Sequence, residues 1–260
     1  MSVTVWQIED ALNAIAPFET AEDYDNVGLL LGRPDAIVHK ALVALDVTEA
    51  VVLEAERLGA ELIIAHHPLM FHARKRLAET DGEARVLCRL IRSRISLIAA
   101  HTNLDLTPYS GSAQCAALLG LRNVRQEGLL FLGECAANVD AQTLRGMISS
   151  ALHTQTRLYG AENLPVHTLA IVGGAYDEGW QEAQALGAQA LLTGEVRHHN
   201  AVAAAMAGFA LLDGGHYATE APLVKPLAAY LQNRFSDVQY KIRFYPSQSA
   251  PFGGVSNKEG

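Results

Sequence analysis

Cysteine is scarce: Cys88, Cys115 and Cys135 are the three in 260 residues, an odd number at wide spacing with no Cys-x-x-Cys pair. That excludes a disulfide framework and a thiolate zinc site, and predicts buried free thiols in a reducing compartment. Concentrated positive charge is lacking as well. Twenty Lys and Arg against 28 Asp and Glu leave a net charge of −8, with the basic residues scattered. Backbone binding to nucleic acid needs a basic face, so no constitutive nucleic-acid partner is indicated, while a small anionic molecule stays open. No apolar run approaches the length that crosses a bilayer, and the opening MSVTVWQIEDAL has no basic flank ahead of an apolar core. The expectation is a soluble, cytoplasmic protein with no membrane partner. Also missing are G-x-G-x-x-G, G-x-x-x-x-G-K-[ST] and G-x-S-x-G, which removes support for nucleotide folds and serine hydrolases.

What is present is apolar: half of the residues, enough for a sizeable core in one large domain or two small ones. Thr4 and Gln7 form a capping-box pattern, and Val5, Ile8, Leu12 and Ile15 recur at helical spacing until Pro17, which predicts an amphipathic first helix. After the polar ETAEDYDN come VGLLLG, strand-like ALVALDV, helical TEAVVLEAERLGA and an apolar strand ELIIA running into HHP. GEARVLCRLIRSR gives a further helix, ISLIAA a strand ending in HTNLD, and GSAQCAALLGL a helix closed by Gly120. This alternation predicts α/β sheets covered by helices.

The second half repeats the first. Shifted by 128 positions, LVALDVTEAVVLEAERLGAELIIAHH lies over AIVGGAYDEGWQEAQALGAQALLTGE, placing Leu58-Gly59-Ala60 on Leu186-Gly187-Ala188. Shifted by 115, ISLIAAHTNLD lies over ALLDGGHYATE, so His101 meets His216 and Asp105 meets Glu220. Two pseudo-symmetric α/β lobes are predicted, roughly 1–125 and 126–247, followed by a mobile tail over 248–260 with little to bury.

In open α/β sheets ligands sit beyond the carboxyl ends of strands, and there His66-His67, His101 with Asp105, and His216 with Glu220 gather. Imidazole and carboxylate together suit zinc, iron, manganese, cobalt or nickel, and six such groups exceed what one tetrahedral ion requires. A pair of divalent ions with a bridging carboxylate fits better, and such a pair activates water near neutral pH. A single strand-end histidine is ordinarily a satisfied core or surface residue, so the weight falls on the joint recurrence. Three features keep two readings each. Glu195 occupies the repeat position of His67, facing the same cleft or serving as a helix N-terminal charge. His198-His199 either supports the site or starts a solvated helix. FHARKRL, with His72, Arg74, Lys75 and Arg76, either meets an anionic substrate or is a solvated face.

The strings DNVGLLLG, IIAHHPLMF, HTNLD with GSAQCAALLGL, TGEVRHH and GGHYATE, in this order over residues 25 to 220, resemble the Nif-three-like dinuclear-metal protein family, often labelled GTP cyclohydrolase I type 2 homologue. The resemblance implies two α/β lobes with mixed sheets, a metal cleft between them, and assembly into a homohexameric toroid. It implies His66, His67, Asp105, His216 and Glu220 as the protein ligands of two metal ions, Glu220 bridging. His101 becomes a proton-transfer or substrate group, although the repeat, which pairs it with His216, keeps a ligand role open. No room exists between Leu121 and Leu169 for the inserted domain of longer members. Tyr24 stands where many relatives have tryptophan. The activity implied is metal-dependent hydrolysis of a small, nucleotide-like substrate; the alternative is a metal-containing ring that acts as a scaffold or regulatory partner without turnover.

Overall fold

Thr4 starts the first helix as its spacing predicts: the Thr4 hydroxyl accepts from the Gln7 amide at 3.4 Å, and the Gln7 side chain accepts from the Thr4 amide at 2.9 Å. The computed structural model describes residues 2–237 and 240–252, apart from the side chain of Asn138. From the N-terminus the chain forms β1 (Val3–Thr4), α1 (Val5–Ile15), β2 (Gly28–Leu31), β3 (Ile37–Val38), β4 (Lys40–Ala44), α2 (Glu49–Leu58), β5 (Leu62–Ala65), α3 (Gly82–Ser93), β6 (Ser96–Ala99) and the short α4 (Thr102–Asp105). It continues with α5 (Gly111–Leu118), β7 (Arg122–Glu127), β8 (Leu130–Asp140), α6 (Ala141–Ala151), β9 (Arg157–Tyr159), β10 (Pro165–Ile171), α7 (Trp180–Ala185), β11 (Ala190–Thr193), α8 (His198–Met206), β12 (Ala210–Asp213) and α9 (His216–Glu220). It closes with α10 (Val224–Arg234) and β13 (Arg243–Pro246).

Two compact units result, residues 1–107 with 224–260, and residues 108–223. The first holds a five-stranded sheet in the order β13-β4-β5-β6-β2, parallel except for β2. Its parallel strands read LVA, LIIA and SLIA without polar alternation because helices cover both faces. Leu42, Ile63 and Leu97 pack with Val51, Val52 and Ala55 of α2 and Val86 and Leu90 of α3. Gly59 closes α2 in the left-handed region, where a glycine carries no Cβ penalty.

The second unit holds a six-stranded mixed sheet, β7-β8-β10-β11-β12-β9, whose parallel centre β10-β11-β12 is flanked by antiparallel neighbours. One face buries Leu192 and Leu212 against Leu144 and Ile148 of α6 and Cys115 of α5. The other buries Leu191 and Leu211 with Trp180, Ala183, Ala204 and Phe209. The duplication is therefore structural: β4-β5-β6 with antiparallel β2 corresponds to β10-β11-β12 with antiparallel β9.

The unit boundaries differ from the expected 1–125 and 126–247 division. The helix that follows each strand-end motif crosses over. Helix α5, which follows HTNLD, packs with β8, β10 and α9 in the second unit, while α10, which follows HYATE, packs with β13, β4 and α1 in the first. The offset of 115 carries Gly111–Leu118 onto positions 226–233, inside α10, so these are the same helix of the repeat, exchanged. The expected tail begins as bonded chain: Ser247, Gln248 and Ser249 all bond Glu54 of α2 at 2.7 to 3.0 Å, and 253–260 lie outside the described residues.

Candidate metal centre

In the first unit the parallel ladder runs one step past β5. The His66 amide donates to Ala44 O at 3.1 Å and the His67 amide to Leu45 O at 2.9 Å, which fixes both backbones beyond the strand end. His66 is fully buried, its Nδ1 2.9 Å from Ala100 O, an acceptor only, so that nitrogen carries a proton and Nε2 is the one turned to the cluster. His67 Nδ1 lies 2.8 Å from Asp46 Oδ1, just past the end of β4. His101 Nδ1 lies 2.9 Å from Asp25 Oδ1. The three imidazoles face one another with ring centroids 5.0 to 5.5 Å apart, and one nitrogen from each lies within 4.8 Å of the others. Asp105, at the end of the one-turn helix α4, brings Oδ1 to 3.8 Å from His66 Nε2.

The carboxylates behind the rings are themselves held. The Asp25 side chain is shut off from solvent and accepts from His101, from the Thr102 amide at 3.1 Å and hydroxyl at 2.5 Å, and from the Asn26 amide at 2.8 Å. Burial alone pushes its carboxyl up, but the bonds from His101 and Thr102 outweigh that and hold it well below the usual carboxylate range. It is ionised at neutral pH and fixes the His101 tautomer with Nδ1 protonated. Carboxylate behind imidazole is the arrangement that orients a metal ligand or a proton-transfer histidine and raises its basicity. A cavity of about 400 Å³ opens beside His67, lined by Asp46, Thr48, Glu49, Leu69 and Arg85 among others, room for a small molecule.

The second unit builds its part differently. His216 starts α9 and lies between two carboxylates, Nδ1 2.7 Å from Glu195 Oε1 and Nε2 3.1 Å from Glu220 Oε2. Glu220 is buried, and backbone closes around it. Gly174 has φ of +69°, and a Cβ there would stand 2.3 Å from Glu220 Oε1; one on Gly194 would stand 2.6 Å from His216 Cα. Only glycine lets the ends of β10 and β11 approach the HYATE turn so closely. The Thr219 hydroxyl completes the nest, accepting from the Gly174 amide at 3.2 Å. Beneath it Cys115 Sγ lies 3.2 Å from Thr219 O, its thiol pushed up to about 12 by burial and by the Glu220 charge. It is an inert core thiol, as its spacing predicts.

His66, His67, His101 and Asp105 thus meet in one unit and His216 and Glu220 in the other. Neutral imidazole with carboxylate suits zinc, iron, manganese, cobalt or nickel, and the donor set fits such ions better than calcium or magnesium, which prefer oxygen alone. Glu195 bonds His216 and is otherwise largely exposed. His198 and His199 are exposed on the first turn of α8. Within FHARKRL, the Arg74 guanidinium is engaged by Asp81 at 2.6 Å and Glu83 at 3.1 Å, anchoring the start of α3, and Lys75 and Arg76 are exposed. Sequence reasoning missed Asp25 and Asp46 as the groups that orient the histidines. A signal existed for Asp46, an acid just beyond the end of a strand next to the one that carries the histidines.

A family model described as Duf34/NIF3 (NGG1p interacting factor 3) matches residues 3–251. A Streptomyces coelicolor protein named GTP cyclohydrolase 1 type 2 homolog is 33% identical over 258 residues, covering 94% of this chain and 90% of its own. A Helicobacter pylori protein named GTP cyclohydrolase 1 type 2 is 32% identical over 217 residues, covering 83% and 86%. The crystal structure of a Staphylococcus aureus hypothetical protein superposes with a TM-score of 0.90 at 29% identity, over 96% of this chain and 98% of that one. A Bacillus cereus protein related to NIF3 superposes at 0.92 with 20% identity, over 98% and 99%, and shows the shared fold. On a match that spans nearly all of its length, the chain belongs to the Duf34/NIF3 family.

Proposed function

We propose that this protein is a metal-dependent hydrolase that binds two divalent ions through His66, His67, Asp105, His216 and Glu220 and acts on a small, nucleotide-like substrate. The observation that carries the reading is the convergence of three imidazoles, each with Nδ1 engaged by an oxygen acceptor and two of those acceptors carboxylates. A structural histidine cluster has no need of carboxylates behind its rings; a set of ligands and proton carriers does. Bound metal ions supply Lewis acidity, polarising the substrate and acidifying a water.

The chain's own residues do the rest. Asp46 and Glu195 hold His67 and His216 in the orientation that presents Nε2. Asp25 holds His101 through Nδ1, which leaves Nε2 to take a proton and return it to the leaving group. The cavity beside His67 admits a molecule of nucleotide size. The name of the Helicobacter relatives suggests GTP as one such substrate. A homohexamer in the cytoplasm completes the proposal; among the described residues no helix is long and apolar enough to cross a membrane.

The test is elemental analysis of protein purified without an affinity metal column, joined to a substrate screen on the native oligomer. Two divalent ions per chain are expected, with loss of metal and of turnover in His66→Ala, Asp105→Ala and Glu220→Ala while light scattering still reports the hexamer. Loss of the hexamer in those variants, with no turnover in the parent, would favour a structural metal in a scaffold. If metal-loaded protein leaves GTP and related nucleotides untouched at neutral pH, the cyclohydrolase version is abandoned.

A further inference from the structure

Two aromatic rings stand in the open near His101. Tyr24 is 64% exposed and Phe71 39% exposed, with centroids 6.2 Å apart and planes tilted by 56°. The Phe71 ring lies 6.3 Å from the His101 imidazole at 82°, and 5.1 Å from His72. Leaving aromatic surface in water forgoes about 25 cal/mol for every Å² that burial would remove, so large exposed rings beside a candidate site call for a use.

The same bonds that orient His101 also position these rings. Tyr24 precedes Asp25, which His101 and Thr102 pin in place. Asn26 Nδ2 donates to Met70 O at 2.6 Å, tying the 24–26 turn to the 68–71 turn that carries Phe71. Both rings therefore sit on backbone anchored to the histidine cluster rather than on free loops. An aromatic face held at fixed distance from a proton-transfer group suits a flat, unsaturated ring, which it binds by offset stacking at little entropic cost.

We propose that Tyr24 and Phe71 are substrate-binding side chains that stack a planar heteroaromatic ring beside His101. This rests on the hydrolase reading only in taking the His101 face as the place where substrate reacts. It narrows the substrate class to molecules that carry such a ring.

Isothermal titration calorimetry of the full-length, zinc-loaded protein with adenosine 5′-monophosphate, uridine 5′-monophosphate and ribose 5-phosphate separates the ring from the phosphate. Both nucleotides should bind at least about tenfold more tightly than ribose 5-phosphate. Phe71→Ala should cut that preference about tenfold and Tyr24→Ala several-fold, Tyr24→Trp should keep it, and the double alanine variant should bind all three probes alike. Equal binding of the three probes by the parent protein overturns the proposal, as does a preference that survives in the double variant. So does a change of mass in the double variant by light scattering, which would make the pair a contact between copies. The ring preference should persist in metal-free protein, so an absent metal pair sinks the hydrolase reading and leaves the stacking measurement standing. Metal-loaded protein that turns over a phosphodiester yet shows no ring preference sinks the stacking alone.

Discussion

The two units share a four-stranded core, β4-β5-β6-β2 in one and β10-β11-β12-β9 in the other, and arm it in opposite ways. Past the ends of β4 and β5 the first unit has Asp46, His66 and His67; the offset of 128 turns these into Gly174, Gly194 and Glu195. One unit builds its site from side chains, rings backed by acids, and the other from backbone, a glycine-lined nest closed around Thr219 and Glu220. Only the third strand end keeps its chemistry in both copies, His101 with Asp105 and His216 with Glu220. The repeat supplies a frame of strand ends, and the two copies arm it differently: three imidazoles with Asp105 in the first unit, His216 between Glu195 and the buried Glu220 in the second.

That contrast can be broken from the backbone side first. Gly194→Ala drives a methyl to 2.6 Å from His216 Cα and 2.8 Å from Gly174 O, contacts with no flexible side chain to yield. It should cost about 3 kcal/mol in urea unfolding, and metal binding should fall with it. Next comes the acid behind His101. Asp25→Asn leaves the shape intact but weakens four hydrogen bonds to a buried charge, and should cost about 2 kcal/mol at neutral pH. Because that carboxyl is depressed in the folded protein, its contribution is present above the ordinary Asp range near about pH 4 and is lost as the pH falls below it. The gap between parent and variant should therefore narrow in acid, which unfolding curves at several pH values would reveal.

Smaller effects sharpen the comparison. Asp46→Asn should weaken metal affinity about 10- to 100-fold in a chelator competition. Glu195→Gln should do less, because its side chain is 60% exposed against 30% for Asp46. Equal losses would mean that the two units support their histidines alike. Smallest of all is Gly59→Ala. It shares the left-handed backbone of Gly174 but meets nothing within 4 Å, so only the conformational cost of about 1 kcal/mol remains. A Gly59→Ala loss as large as that of Gly194→Ala would show that crowding is not what the second unit depends on.

Much of this was readable in the amino-acid order. Helices α1, α2, α3 and α7 and strands β4, β5, β6, β11 and β12 follow from apolar spacing, caps and left-handed glycines, all local signals. His101 with Asp105 and His216 with Glu220 were marked by the internal repeat, and His66 and His67 by their place at a strand end. The hairpin β7-β8 did not, since RNVRQE is almost wholly exposed and lacks the alternation of a half-buried strand. Nor did the pairing of β13 with β4, which joins Arg243 to Lys40 across some two hundred residues and leaves no trace in either segment. In the site, Asp25 was hidden for the same reason: its partner His101 is 76 positions away, and only the folded chain brings a turn near residue 25 against the end of β6.

The crossing of α5 and α10 sets an order of events during synthesis. Residues 108–223 form a contiguous unit that can fold as soon as they leave the ribosome, whereas the first unit waits for α10 and β13. Until then the β4 edge stands unpaired and the face that α10 covers stays wet. The unit that carries His66, His67, His101 and Asp105 is therefore the last to mature, and a chain truncated near residue 223 would hold these four on a first unit that lacks an edge strand and a helix of its core.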